Sequence, residues 1–146
     1  MPAINSNENR ILAIDFGEKR IGLAVTDPLN IFAYPLATLP NDNIFLIELE
    51  TIINTYNVTK IILGDPKKES GLNSPLSTLI NEFKTKIENK FKIVIELVDE
   101  RYSSEIARQR IVEKVSSKKK RRNKSLLDMN SASILLEDYL AKQKYN

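Results

Sequence analysis

Asp15, Asp65, Glu100 and Asp128 are the side chains best placed for chemistry, because each stands beside an apolar run that should be buried. A carboxylate among apolar residues is costly unless its charge is offset, and Asp15 directly follows Ile11-Leu12-Ala13-Ile14. Asp15 also reads as the start of the turn Phe16-Gly17-Glu18, or as a partner of Lys19 or Arg20. Asp99 and Glu100 close another apolar segment. Neighbours on a strand point to opposite faces, so one of the two can face a site; an exposed pair salt-bridged to Arg101 is the alternative. Asp128 lies in Ser125-Leu126-Leu127-Asp128, which has the spacing of a capping box. It also precedes Ala132, Leu135 and Tyr139 at helical spacing, which places it on the inward face of a helix. Together Asp15, Glu100 and Asp128 make an oxygen-only donor set, and hard oxygen donors suit Mg²⁺ or Mn²⁺. Two such ions about 3.5 to 4 Å apart can activate water and stabilise the leaving oxygen in phosphodiester cleavage.

The chain contains no Cys and no His. Disulfides, thiolate zinc sites, imidazole ligands and Ser-His or Cys-His nucleophiles are therefore excluded, which leaves carboxylates, hydroxyls, Lys and Tyr. A metal-dependent hydrolysis needs none of the missing groups. Its 146 residues are enough for one domain spanning 1–146 with its own core. No stretch approaches a membrane span and the N-terminal residues do not resemble a signal peptide, so a cytoplasmic protein with no membrane partner is expected.

The acids need a scaffold. Residues 11–14 form a short apolar run expected of a central strand. Residues 20–26 and 31–38 read as second and third strands around the turn Asp27-Pro28-Leu29-Asn30, giving an antiparallel meander. Helical spacing of apolar residues predicts a helix over 43–56, capped by Asn41 or Asp42. A fourth strand over 60–64, a loop over 65–74, a helix from Pro75 to about Lys90 and a fifth strand over 92–98 follow. Ser103 is a candidate cap for a third helix, and a last helix begins near Leu126. The expected fold is α/β: a five-stranded mixed sheet, its first three strands a meander, with helices on both faces. Asp15, Asp65 and Asp99-Glu100 all fall at strand ends, where sites in such sheets gather.

Ile11 to Pro28 (ILAIDFGEKRIGLAVTDP) resembles the first motif of the YqgF family, a ribonuclease H-like group related to RuvC-type Holliday junction resolvases. ILGDPKKESG (62–71), VDERYSS (98–104) and LDMNSASILLEDYL (127–140) resemble its later motifs, in order. The resemblance implies a ribonuclease H-like fold and a nuclease that matures the precursor of 16S ribosomal RNA, with Holliday junction resolution as the alternative. By motif it assigns Asp15, Glu100 and Asp128 as catalytic, metal-holding acids, with Lys19 and Arg20 as the basic pair of the first motif and Arg101 as the arginine beside Glu100. Two departures stand out. Gly64-Asp65-Pro66 replaces the usual Gly-Leu-Pro, adding an acid that either touches a metal-bound water or simply precedes proline in a turn. Ser131-Ala132 replaces Ala-Ala.

Lys118, Lys119, Lys120, Arg121, Arg122 and Lys124 concentrate six positive charges; the net charge is +3, so the remainder of the chain carries −3. Such a segment reads either as a solvated linker or as a mobile loop that grips phosphates next to Asp128. Lys19, Arg20 and Arg101 are further candidates for phosphate contact. Phe16, Tyr34 and Tyr102 read as core or edge residues, not as a stacking platform. The expected partner is structured RNA or branched DNA, and the expected assembly a monomer or weak homodimer. Asp15-x-Gly17 also resembles the phosphate loop of actin-like ATPases, which need two such domains. A noncatalytic nucleic-acid-binding module is the remaining class.

Overall fold

The computed structural model describes residues 9–65, 75–99 and 124–144. Its strands are β1 (Arg10–Asp15), β2 (Arg20–Thr26), β3 (Ala33–Pro40), β4 (Val58–Asp65) and β5 (Val94–Asp99). Its helices are α1 (Phe45–Tyr56), α2 (Pro75–Phe91) and α3 (Lys124–Lys144). The sheet order is β3-β2-β1-β4-β5. β2 is antiparallel to both β1 and β3, whereas β1, β4 and β5 run parallel to one another. The expected mixed sheet with its initial meander is therefore present.

Two apolar layers sandwich this sheet. Leu12 and Ile14 of β1, Ile21, Leu23 and Val25 of β2, and Ile61 and Leu63 of β4 pack with Phe45, Leu49 and Ile53 of α1 and Ile80 and Ile87 of α2. On the other face Ala13, Ala24 and Ile62 meet Ala132, Leu135, Leu136 and Tyr139 of α3. Strand alternation makes both layers possible from one run of apolar residues, since each strand must satisfy two faces. Each fully buried Leu or Ile contributes about 1.5 to 3 kcal/mol. Phe16 extends the first layer beyond the end of β1, its ring 4.8 Å from that of Phe83 on α2.

Local chemistry moved several element boundaries. β3 begins at Ala33, not at Ile31, because Asp27 accepts the backbone N–H groups of Leu29, Ile31 and Phe32 at 3.1, 2.7 and 2.6 Å. Those amides are committed to the turn before the strand can use them. β5 begins at Val94, two residues later than expected, since Lys92 adopts a left-handed φ of 56° and its N–H closes α2 on the Glu88 carbonyl. α1 starts at Phe45 with no side-chain cap, and Asn41 is engaged elsewhere. α3 already includes Lys124 and Ser125, so Lys124 does not belong to a loop and Ser125-Asp128 does not stand at the capping position. The helix expected from Ser103 lies outside the described residues. Among the described residues, no helix is long and apolar enough to cross a membrane.

Candidate active site at the carboxyl edge of the sheet

Because β1, β4 and β5 are parallel, Asp15, Asp65 and Asp99 end them at one edge, and Asp65 is in register with Asp99. The faces then separate the acids. Leu12, Ile14 and Phe16 point to the α1/α2 side, so Ile11, Ala13 and Asp15 take the α3 side. Ile61 and Leu63 point to the α1/α2 side as well, and Asp65 follows them. The suggestion that Asp65 joins Asp15 therefore meets a geometric obstacle: alternation directs the two carboxylates to opposite faces.

Asp15 is half-buried and sits among small neighbours. Its partner in register on β2 is Gly22. On β4, Ile14 pairs with Leu63, which places Gly64 beside Asp15 on the next step. Both glycines are buried and both fall on the α3 side, with Ala24 and Ile62. The residues beside Asp15 on both adjacent strands are therefore glycines, which contribute no side chain to this edge. Arg20 is on the same face, two residues from Gly22, so it lies diagonally from Asp15 within reach of a long side chain.

The loop joining Asp15 to Arg20 is tightly held. Asn41 donates its side-chain amide to the Gly17 carbonyl at 2.9 Å and its backbone N–H to the Lys19 carbonyl at 3.0 Å. A Cβ on Gly17 would lie 2.4 Å from the Arg20 carbonyl oxygen, so the loop closes only with glycine there. Lys19 is exposed, and its backbone carbonyl is part of this brace. Of the two candidate caps, Asp42 accepts the Ile44 N–H at 3.0 Å just before α1, whereas Asn41 reaches across to the β1–β2 loop.

α3 brings the last acid to this edge. Tyr139 packs near Lys60 at the amino end of β4, while Ala132, Leu135 and Leu136 lie over Ala13, Ala24 and Ile62. The helix therefore runs against the direction of β1 and β4. From Tyr139 back to Asp128 it rises about 16 Å. From Lys60 to Asp65 β4 extends about 16 Å as well. The backbone of Asp128 thus stands level with the carboxyl edge, one turn before Ala132. Glu96 and Val98 of β5 face α3, with Glu96 3.0 Å from Lys60 and Val98 in the α3 layer. Glu100, Arg101 and Lys118 to Arg122 lie outside the described residues, and of Lys124 and Asp128 only the backbone is described. Among the described residues no three acids gather into a metal cluster. The donors available at this edge are carboxylate oxygens, which fits a hard divalent cation and no softer metal.

A cavity of about 790 Å³ lies at the opposite, amino edge, lined by Ile11, Phe32, Lys60, Tyr139 and Leu140 among others. Its walls are mainly apolar. Its lysine is already engaged: Lys60 donates to the Tyr139 oxygen and pairs with Glu96. These contacts, the hydrogen bond to Tyr139 foremost, raise the Lys60 ammonium above its ordinary 10.5 against a smaller opposing effect of burial. Chemistry, not volume, favours the carboxyl edge.

Comparison with known proteins bears on the same elements. The family model described as "RuvX: Holliday junction resolvase" matches residues 9–142. A protein of Flavobacterium psychrophilum named as a proposed pre-16S rRNA nuclease is 40% identical over 135 residues, 92% of this chain and 98% of the relative. One of the same name from Amoebophilus asiaticus is 42% identical over 137 residues, covering 92% and 96%. Among solved structures, the Fowlpox virus resolvase bound to Holliday junction DNA superposes with a TM-score of 0.54 at 17% identity, covering 92% of this chain and 98% of that one. RuvC of T. thermophilus with its junction substrate gives 0.53 at 11% identity, covering 92% and 96%. The last two likenesses establish that the ribonuclease H-like fold is shared.

Proposed function

This chain belongs to the RuvX family of Holliday junction resolvases, and on that premise we propose that it is a divalent-metal-dependent nuclease whose substrate is the precursor of 16S rRNA. The observation that supports the reading is that Asp15 ends β1 on the face covered by α3, whose backbone, by rise per residue, reaches that edge near Asp128. Glu96 and Val98 of β5 face α3 on the same side of the sheet as Asp15. Asp15, Glu100 and Asp128 would hold Mg²⁺ or Mn²⁺, which supplies an activated water and stabilises the leaving oxygen. The buried glycines at positions 22 and 64 keep side chains away from that space. Arg20, Lys19 and Arg101 orient the scissile phosphate, and Lys118, Lys119, Lys120, Arg121, Arg122 and Lys124 hold the backbone on either side of it. Water adds at phosphorus as the P–O ester bond breaks, and neither half of that exchange requires a side-chain nucleophile.

The choice of RNA is supported by relatives that match more than nine-tenths of the chain and carry that name. The description of the matching family favours a second reading, resolution of branched DNA. The whole of 1–146 acts as one domain in this proposal, in the cytoplasm, as a monomer or weak homodimer. The test is to incubate the purified protein with a pre-16S RNA fragment and with a matched four-way DNA junction, each with Mn²⁺ or EDTA. RNA is expected to be cut only with metal, and Asp15→Asn to abolish cutting while leaving RNA binding largely intact. Preferential cutting of the junction would establish the second reading. Binding without cleavage of either substrate would leave a noncatalytic module.

A further inference from the structure

The α3 interface is unusual in what it lacks. The sheet offers α3 mainly Ala13, Ala24 and Ile62, with Gly22 and Gly64 continuing the same face toward the carboxyl edge. Small residues let a helix approach closely, but they present few ridges to stop it sliding along its own axis. Residues 131–136 are buried. What marks the axial position is polar. Tyr139 accepts a hydrogen bond from Lys60 on β4 and directs its hydroxyl to Glu96 on β5 at 3.5 Å, while Lys60 and Glu96 pair at 3.0 Å. These groups come from three separate elements, and among the described hydrogen bonds Tyr139 is the side chain by which α3 joins Lys60 and Glu96.

We propose that Lys60, Glu96 and Tyr139 form a register clamp that fixes the height of α3 against the sheet, and so sets how Asp128 stands relative to Asp15 about 16 Å away. The clamp rests on the reading that Asp15 and Asp128 share a metal. A slip of one residue along α3 moves Asp128 by about 1.5 Å and turns it through about 100°. Either change takes it out of the tolerance a metal site allows, of the order of 0.5 Å. Lys60 and Glu96 are 32% and 45% exposed, so their pairing adds little to stability. A positioning role therefore predicts a loss of metal binding out of proportion to any loss of stability. These three are positioning residues; none of them touches the reacting atoms.

Mn²⁺ binding to the full chain, followed by the EPR signal of free Mn²⁺ with no substrate present, separates the possibilities. Tyr139→Phe keeps the ring in the core and removes only the hydroxyl; Lys60→Met keeps the length and removes the charge. Each is expected to weaken Mn²⁺ binding about tenfold, the low end of what losing a ligand-orienting partner costs. Their thermal midpoints should stay within a few degrees of the parent. The exchange Lys60→Glu with Glu96→Lys restores the ion pair and should recover most of the lost Mn²⁺ binding with little change in thermal midpoint; the loss of metal binding at nearly constant stability is what a purely structural role does not predict. Asp15→Asn and Asp128→Asn are the reference: they should lose Mn²⁺ binding outright. If they lose it while Tyr139→Phe and Lys60→Met bind as the parent does, the clamp is refuted and the metal reading stands. If the two Asp variants themselves bind Mn²⁺ normally, the metal reading fails and takes the clamp with it.

Discussion

Replacing Gly17 with alanine places a methyl group 2.4 Å from the Arg20 carbonyl oxygen, where real Cβ atoms essentially never come closer than 3.0 Å. The loop must therefore open by about 0.6 Å, and both anchors of Asn41 resist it. Its bond to the Gly17 carbonyl, now 2.9 Å, would stretch to the limit of hydrogen bonding. Overpacking of this kind costs about 1 to 3 kcal/mol, and loss of one hydrogen bond about 0.5 to 1.5 kcal/mol. Alanine returns about 0.4 to 1 kcal/mol by restricting the unfolded chain. The net loss is roughly 0.5 to 4 kcal/mol, which for a chain of this size lowers the thermal midpoint by about 2 to 15 °C. Calorimetry measures that midpoint. Cleavage assayed well below it should fall further than stability explains, because the displaced loop carries Lys19 and Arg20 beside Asp15. Asn41→Ala releases the same brace, so the double variant should lose less than the sum of the single losses. A Gly17→Ala midpoint within about 1 °C of the parent would show that the loop relaxes freely and that the close approach constrains nothing.

Two further outcomes are expected. Slight burial pushes the Asp27 carboxyl up, but hydrogen bonds from the N–H groups of Phe32, Ile31 and Leu29 outweigh it and hold the group below its ordinary 3.8. A depressed folded-state value contributes stability above about pH 4 that is lost as pH falls through it, so Asp27→Asn should melt below the parent at neutral pH and converge with it on acidification; a gap independent of pH contradicts this. Neutralising Lys118, Lys119, Lys120, Arg121, Arg122 and Lys124 should weaken RNA binding and flatten its dependence on log salt by about 0.7 to 0.9 for each phosphate that is no longer neutralised. An unchanged slope would identify the segment as a linker.

Among the described residues the elements and their order were legible in the sequence, because apolar periodicity and turn chemistry are local. β2 falls at Arg20–Thr26 as the apolar pattern indicates, α2 begins at Pro75, and the short links between the first three strands dictate their antiparallel meander. The acids could likewise be recognised one at a time, since a carboxylate after a buried run is a local anomaly. Which acids can meet was not legible. Asp15 and Asp65 both end central strands, yet they take opposite faces because Phe16 and Leu63 anchor the α1/α2 layer on different parities. The step of Asn41 from helix cap to loop brace depends on β3 lying beside β2, which no pattern near residue 41 encodes. The bond from Lys60 to Tyr139 spans 79 residues and exists only once α3 lies against β4. Local sequence dictates what each segment becomes, since its periodicity and caps act within a few residues; the partner of each face is decided by the sheet order and by which helix covers it, and only the assembled sheet contains that information.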